Sequence, residues 1–282
     1  MNIQLKKRVS EDQEEFDADF IPVITESDEY LNIQQKDIPD TLPILPLRNM
    51  VLFPGVVMSV SIGRVKSLKL VRESYQQESV IAVFTQKDSN VDDPGITDLN
   101  SIGLVARILR ILEMPDNSTT VIIQGMKRCT LMEIIAVEPY LTGRVTLREE
   151  APAPKDDREF EALIQAIKDL SVKIIKNSGN IPQEATFAVR NMEQPLSLIN
   201  FISANFAFKL EDKLRLLSID DIKDRCYSLL EIMTRESQLL ELKVSIQSRT
   251  REDINQQQRE YFLQQQIKTI QDELGGSMQE QD

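Results

Sequence analysis

Histidine is missing from all 282 residues, and so is tryptophan. Without imidazole there is no Ser–His or Cys–His nucleophilic pair, no histidine general base and no histidine metal ligand. Cysteine occurs only twice, at Cys129 and Cys226. The two are far apart and in no CxxC arrangement, so a zinc site would have to be built mostly from carboxylates. That scarcity also excludes a disulfide framework and suits a reducing cytoplasm, the two thiols reading as small buried hydrophobes. No G-x-x-x-x-G-K-[ST] phosphate loop and no G-x-S-x-G elbow occurs. No run approaches the ~18 consecutive apolar residues of a membrane span. The basic residues near the N-terminus have no apolar stretch behind them, which does not read as a secretory signal. Asp92–Asp93, Asp156–Asp157 and Asp220–Asp221 stand beside turns or helix starts, where short acids cap. Asn117-Ser118-Thr119 fits a glycosylation sequon but in a cytoplasmic chain reads as a polar turn. No catalytic, cofactor-binding or metal-binding residue is assigned, and this segment reads as non-enzymatic.

Positive charge is in deficit as well. Lys and Arg number 33 against 45 Asp and Glu, a formal net charge of -12. More than half of that excess lies in residues 1–40, which hold four basic residues (Lys6, Lys7, Arg8, Lys36). An acidic chain with no concentrated basic stripe argues against nucleic acid as a partner, because that binding rests on phosphate neutralisation.

Glycine and proline are unevenly withheld. All 12 prolines fall at or before Pro195, and no glycine lies between Gly179 and Gly275. A stretch so free of breakers reads as helical. Residues 1–40 are polar and aperiodic and read as a disordered acidic tail, with Phe16, Phe20 and Ile21 as a conceivable docking segment. Residues 41–150 carry short apolar runs between turn signals. Ile44–Leu47 is extended by its prolines, and Val56–Ile62 alternates as a strand with one buried face. One short helix runs to about Gln77. Further strands are expected at Val80–Phe84, Ile102–Leu112, Thr119–Gln124, Lys127–Val137 and Leu141–Leu147, with the turn 114–118 closing one hairpin. Six or seven short strands, mostly hairpin-connected, with one helix suggest a small β-barrel or curled sheet.

After a linker at 151–157, residues 158–244 read as an all-α bundle. Phe160, Leu163, Ile164, Ile167, Leu170 and Ile174 mark its first helix, ended at Asn177–Gly179. Further helices start near Pro182 and Pro195, and another carries Leu210, Leu214 and Leu217. The last is capped near Asp220–Asp221 and bears a heptad-type seam of Ile222, Cys226, Leu229, Met233, Leu240 and Val244. Residues 245–276 stay helix-forming but become rich in glutamine and charge. Their thin apolar stripe of Ile254, Tyr261, Leu263, Ile267, Ile270 and Leu274 fits a projecting, coiled-coil-like connector. Residues 277–282 then read as a truncated end.

These segments carry a family resemblance. LPILPLRNMVLFPG (42–55), DPGITDLNSIGLVARI (93–108), VIIQGMKRC (121–129), NFISANFAFKLEDKLRLLSIDDIKDR (200–225) and above all QREYFLQQQIKTIQDELGG (258–276) resemble, in order and spacing, the N-terminal domain of Lon proteases. The resemblance implies an α+β fold: a PUA-like small β-barrel, a helical bundle and one long projecting C-terminal helix. It further implies the substrate-recognising front of a cytoplasmic, homohexameric ATP-dependent protease whose AAA+ ATPase and Ser–Lys dyad lie outside this sequence. ATP and Mg would belong to those absent parts, with no cofactor here. The implied partners are unfolded or degron-bearing proteins and other copies of the chain, not a membrane. A stand-alone adaptor or assembly scaffold is the alternative. A receptor for unfolded chains needs exposed apolar surface. Two places are expected to offer it: the 50–55 loop, through Met50, Leu52, Phe53 and Pro54, and Tyr261, Phe262 and Leu263 on the last helix. The rival for Leu52 and Phe53 is that they plug the barrel, and for Tyr261 and Phe262 that they pack against a neighbouring subunit.

Overall fold

A computed structural model of the chain describes residues 23–24, 34–115, 118–179 and 181–276. Its sheet has seven strands: β1 Val23–Ile24, β2 Thr41–Leu47, β3 Val56–Ile62, β4 Ile81–Thr85, β5 Ile102–Glu113, β6 Thr119–Ala136 and β7 Thr142–Leu147. Helix α1 (Val65–Gln76) follows β3. The strand order is β1-β3-β6-β5-β4-β2-β7, and β7 also pairs with β6. Strands β6, β5, β4, β2 and β7 therefore form a closed hydrogen-bonded ring, with β3 and β1 laid outside β6.

Several sequence expectations are corrected here. The two strands expected on either side of Gly125 are one long strand, β6. Its partners change along its length, β3 and β5 at the start and β7 at the end. The connections are less hairpin-like than expected, because β2 pairs parallel with β4 across the intervening β3 and α1. β4 is buried on both faces, which explains its unbroken apolar run. Ile81 and Val83 enter one core cluster, while Ala82 and Phe84 enter a second with Ile44, Val105 and Cys129. Within the expected acidic tail, Val23–Ile24 pair with β3 and Ile38 is buried in the second cluster. Residues 1–22 and 25–33, the Asp116–Asn117 turn and the 277–282 end lie outside the described residues.

The helices are α2 Arg158–Asn177, α3 Ala185–Asn191, α4 Pro195–Asn205, α5 Leu210–Ser218 and α6 Ile222–Gly276. Asp157 caps α2 by accepting from the Glu159 and Phe160 amides. Asp221 caps α6 in the same way, through Lys223 and Asp224. The first core cluster joins sheet and helices: Leu45, Phe53, Val60 and Ile123 belong to it together with Phe160, Ile167, Ile199, Leu229 and Met233. The two halves thus share one core.

α2 and α6 run parallel. Lys223 on α6 pairs with Asp157 at the start of α2, and Lys173 pairs with Glu241 towards its end. Since α2 stops at Asn177, it can cover α6 only to about residue 245. Ile222, Cys226, Leu229 and Met233 are buried, Leu240 is half-buried, and Val244 is exposed, contrary to its place in the expected seam. The helix itself passes the expected 245 boundary unbroken. What changes there is burial, because its neighbour has ended.

Candidate functional site

The 50–55 loop is not an exposed receptor. Leu52 is 2% and Phe53 1% exposed, Pro54 is buried and Met50 half-buried. Left-handed backbone at Asn49 (φ 54°) and Gly55 (φ 76°) turns the chain sharply at both ends of the segment, a conformation glycine adopts without strain. The turn is then tied from three sides. The Thr85 hydroxyl donates to the Met50 carbonyl at 2.6 Å. The Gly55 amide donates to the Gly125 carbonyl at 2.9 Å. The buried Asn200 side chain on α4 donates to the Pro54 carbonyl at 3.1 Å. Gly125 is the counterpart on β6: a Cβ there would sit 2.3 Å from the Phe53 carbonyl oxygen. Met50, Leu52, Phe53 and Pro54 are therefore the plug between sheet and bundle. An apolar run with a turn in it is the same sequence whether it faces water or a second layer.

Tyr261, Phe262 and Leu263 are in the opposite state, 65%, 61% and 48% exposed. Leu242, Ile246, Ile254, Ile267 and Ile270 on the same helix are also exposed. From residue 241 to 270 every α6 side chain described is exposed. Large apolar groups thus repeat along a helix that no described element covers.

A buried polar cluster lies apart from every candidate contact residue that the sequence singles out. Arg128 on β6 and Arg225 on α6 are both fully buried and share one carboxylate, Glu150, which follows β7. Arg128 donates to Glu150 Oε1 at 2.5 Å and to the Leu217 and Ile219 carbonyls at 2.9 and 3.0 Å. Arg225 donates to Glu150 Oε2 at 3.1 Å and from Nε to the Ile219 carbonyl at 3.0 Å. The second Arg128 terminal nitrogen lies 3.1 Å from Asp220 Oδ1 without hydrogen-bond alignment. Asp220 is itself held by Arg148. Two cations meet a carboxylate and the carbonyls at the end of α5, where the helix dipole is negative. Burial pulls the Arg225 guanidinium below its ordinary pKa, and Arg128 acts in the same sense against the opposing charge of Glu150. The cluster fastens β6 to the α5–α6 corner. A cleft of about 340 Å³ lies beside it, lined by Met126, Lys127, Glu150, Pro152, Leu196 and Ile222 among others.

Both cysteines are free and buried, and burial raises both thiols well above the ordinary range, away from thiolate chemistry. Lys213 behaves oppositely: burial pushes its amine down to about 8, with Nζ donating to the Ala204 carbonyl at 2.8 Å. No helix among the described residues is long and apolar enough to cross a membrane.

The mixed sheet and helix bundle are similar in fold to solved Lon N-terminal domains. The chain superposes on the N-terminal domain of Mycobacterium avium complex Lon protease with a TM-score of 0.55 at 19% identity, covering 69% of this chain and 98% of that one. For the Lon N-terminal domain protein from Xanthomonas campestris the TM-score is 0.51, also at 19% identity, with 68% and 97% covered. Residues 41–235 match the family model of the ATP-dependent protease La (LON) substrate-binding domain. The chain is 50% identical over 262 residues to the Lon protease of Parabacteroides distasonis, and 48% identical over 271 residues to that of Flavobacterium johnsoniae. It belongs to the Lon substrate-binding domain family. These alignments take in 92% and 95% of the chain but 32% and 33% of the relatives, so the chain spans about a third of their length.

Proposed function

We propose that this chain is the client-handling front of a Lon-type ATP-dependent serine protease. It engages unfolded, damaged or degron-bearing polypeptides in the cytoplasm and helps arrange copies of itself in a homohexamer. Clients then pass to an AAA+ ATPase and Ser–Lys peptidase in the part of such proteins that this chain does not match. ATP and Mg serve that part, and the present segment uses no cofactor. The ring of strands is read as a PUA-like barrel.

What carries the reading is the exposed aromatic pair Tyr261–Phe262 on a helix whose only described packing partners end before it. An unfolded client's shared mark is apolar side chain, and several weak apolar contacts across an assembly bind it by avidity. Assembly has its own support in the register of α6. Leu239, Leu242 and Ile246 fall on one heptad seam, and Leu263, Ile267 and Ile270 fall on its continuation. Arg249, Gln256 and Glu260 occupy the same seam between them. Two apolar blocks separated by a polar middle favour short crossing contacts between copies over one continuous coiled coil.

The test is casein binding and sedimentation velocity with Tyr261→Ser/Phe262→Ser. Both side chains are exposed, so the fold stays intact while client affinity or self-association falls. Unchanged behaviour in both assays refutes the assignment.

A further inference from the structure

Helix α1 begins without a cap. Arg64, the residue before it, makes no side-chain capping bond, and the first turn carries no acid. The first helical hydrogen bond runs from the Leu68 amide to the Arg64 carbonyl. The amides of Val65, Lys66 and Ser67 precede it and have no partner among the described residues. A cleft of about 120 Å³ opens at this helix start, between α1, β2, the 92–95 loop and the 137–141 segment. Its lining joins Arg64, Lys66 and Ser67 to the apolar Ile44, Leu70 and Leu141.

Two side chains in that lining also lack an acceptor. Ser67 is only 7% exposed, and its hydroxyl makes no hydrogen bond among the described residues. Arg64 donates from one terminal nitrogen to Gln86 Oε1 and, at 3.3 Å, to the Val91 carbonyl. It forms no ion pair among the described residues, unlike its neighbours: Arg48 lies 2.6 Å from Asp92, and Lys66 lies 2.9 Å from Glu138 and 3.5 Å from Asp93. Burial, and then the nearby Arg48 guanidinium, pull the Arg64 pKa below its ordinary value, while Asp92 and Asp93 act against them. Uncapped amides, a buried hydroxyl and an unpaired guanidinium are the donors that a carboxylate takes. Asp92 and Asp93 line the same cleft, so a doubly charged anion such as phosphate would meet their repulsion, and a monoanion suits the balance better. The apolar lining asks for a hydrocarbon group beside the charge. The volume falls below the about 300–1,000 Å³ of sites for drug-sized ligands, so the occupant is small.

We infer that the cleft at the start of α1 binds a monoanionic carboxylate bearing an aliphatic group, with the oxygens on the α1 amides, Ser67 and Arg64 and the hydrocarbon against Ile44, Leu70 and Leu141. A free branched-chain acid and the C-terminal residue of a polypeptide both carry that group. The inference goes beyond client handling and does not rest on it.

The test uses the whole 282-residue chain and two pairs of probes. One pair is a dansyl-labelled glycine–serine pentapeptide ending in leucine, as the free acid and as the C-terminal amide, read by fluorescence anisotropy. The other is 4-methylpentanoate and 4-methylpentanamide, read by calorimetry. In at least one pair the acid should bind about tenfold or more tighter than its amide, as for lost charge-assisted hydrogen bonds. Discrimination in the peptide pair alone assigns the site to polypeptide termini, and in the free pair alone to small acids. Ser67→Asp places the chain's own carboxylate among the same donors, where an acid suits the helix dipole. It should abolish acid binding with the melting temperature kept or raised. Ser67→Ala, which removes only the hydroxyl, should weaken the acid about threefold or more without loss of fold. Discrimination below about threefold in both pairs, or acid binding unchanged in both variants, overturns the assignment.

Discussion

Replacing Glu150 by glutamine takes one negative charge out of the buried cluster and leaves its shape almost unchanged. Arg128 and Arg225 then face one another with only carbonyls and the half-exposed Asp220 for compensation. Breaking a buried pair by removing one charge costs about 3–5 kcal/mol, a large share of a stability that is normally about 5–15 kcal/mol. Arg128→Met is the instructive contrast. It leaves Glu150 paired with Arg225 at 3.1 Å, and the Ile219 carbonyl keeps Arg225 as donor at 3.0 Å. The Leu217 carbonyl and Glu150 Oε1 lose their Arg128 donors while Oε2 keeps its own, so a cost of about 1–3 kcal/mol is expected. The order is therefore Glu150→Gln worse than Arg128→Met. The double variant should cost less than the sum, since the second change removes the cation that the first left stranded. Urea unfolding followed by far-UV circular dichroism measures this, since there is no tryptophan to report. A single transition is expected because sheet and bundle share a core. Loss of under about 1 kcal/mol in Glu150→Gln, or strict additivity, refutes the claim that these charges form one unit.

Phe53→Ser, which would test a binding patch if the loop were exposed, should instead destabilise by about 3–5 kcal/mol, because the ring is almost wholly buried; a variant of unchanged melting temperature contradicts the plug. Gly125→Ala should cost at least about 1–3 kcal/mol, since its methyl group meets the Phe53 carbonyl and a Leu104 methyl, and thermal melting reads it directly. Lys213 has a folded-state pKa of about 8, below its unfolded value of about 10.4. The unfolded chain thus binds the extra proton between those values, and this residue's contribution to stability rises with pH through that window by up to about 3 kcal/mol. Lys213→Met should remove that rise, so the difference between parent and variant in urea midpoints from pH 7 to 10.5 is the measurement; parallel pH profiles would show that the amine is not buried.

Local signals in the sequence carried most elements. Proline placement marked β2, alternation marked β3, and spacings of three and four marked α2, because each depends on neighbours a few residues away. Long-range contacts were illegible. Gly125 looks like a corner from its own surroundings, yet β6 runs through it. The reason for a glycine there is the approach of the Phe53 backbone. Arg128, Glu150 and Arg225 stand 22 and 75 residues apart, each among ordinary surface charges, so no spacing betrays their meeting. The 50–55 run was ambiguous in principle, since hydrophobicity does not say which surface it covers. The exposed character of Tyr261–Leu263 was legible because a stripe that thin has too little apolar area to be a core face.

The continuity of α6 has a mechanical consequence. Its first five turns are clamped by α2 and the bundle, while residues 241–276 extend about 54 Å at 1.5 Å per residue. With no glycine or proline before Gly275, the helix has no hinge at which to dissipate torque. It is a lever arm with its fulcrum in the core: a 5° tilt of the bundle would sweep the far end through about 5 Å, close to one helical turn. Whatever strains the sheet-and-bundle body is read out, enlarged, at the far end of that arm.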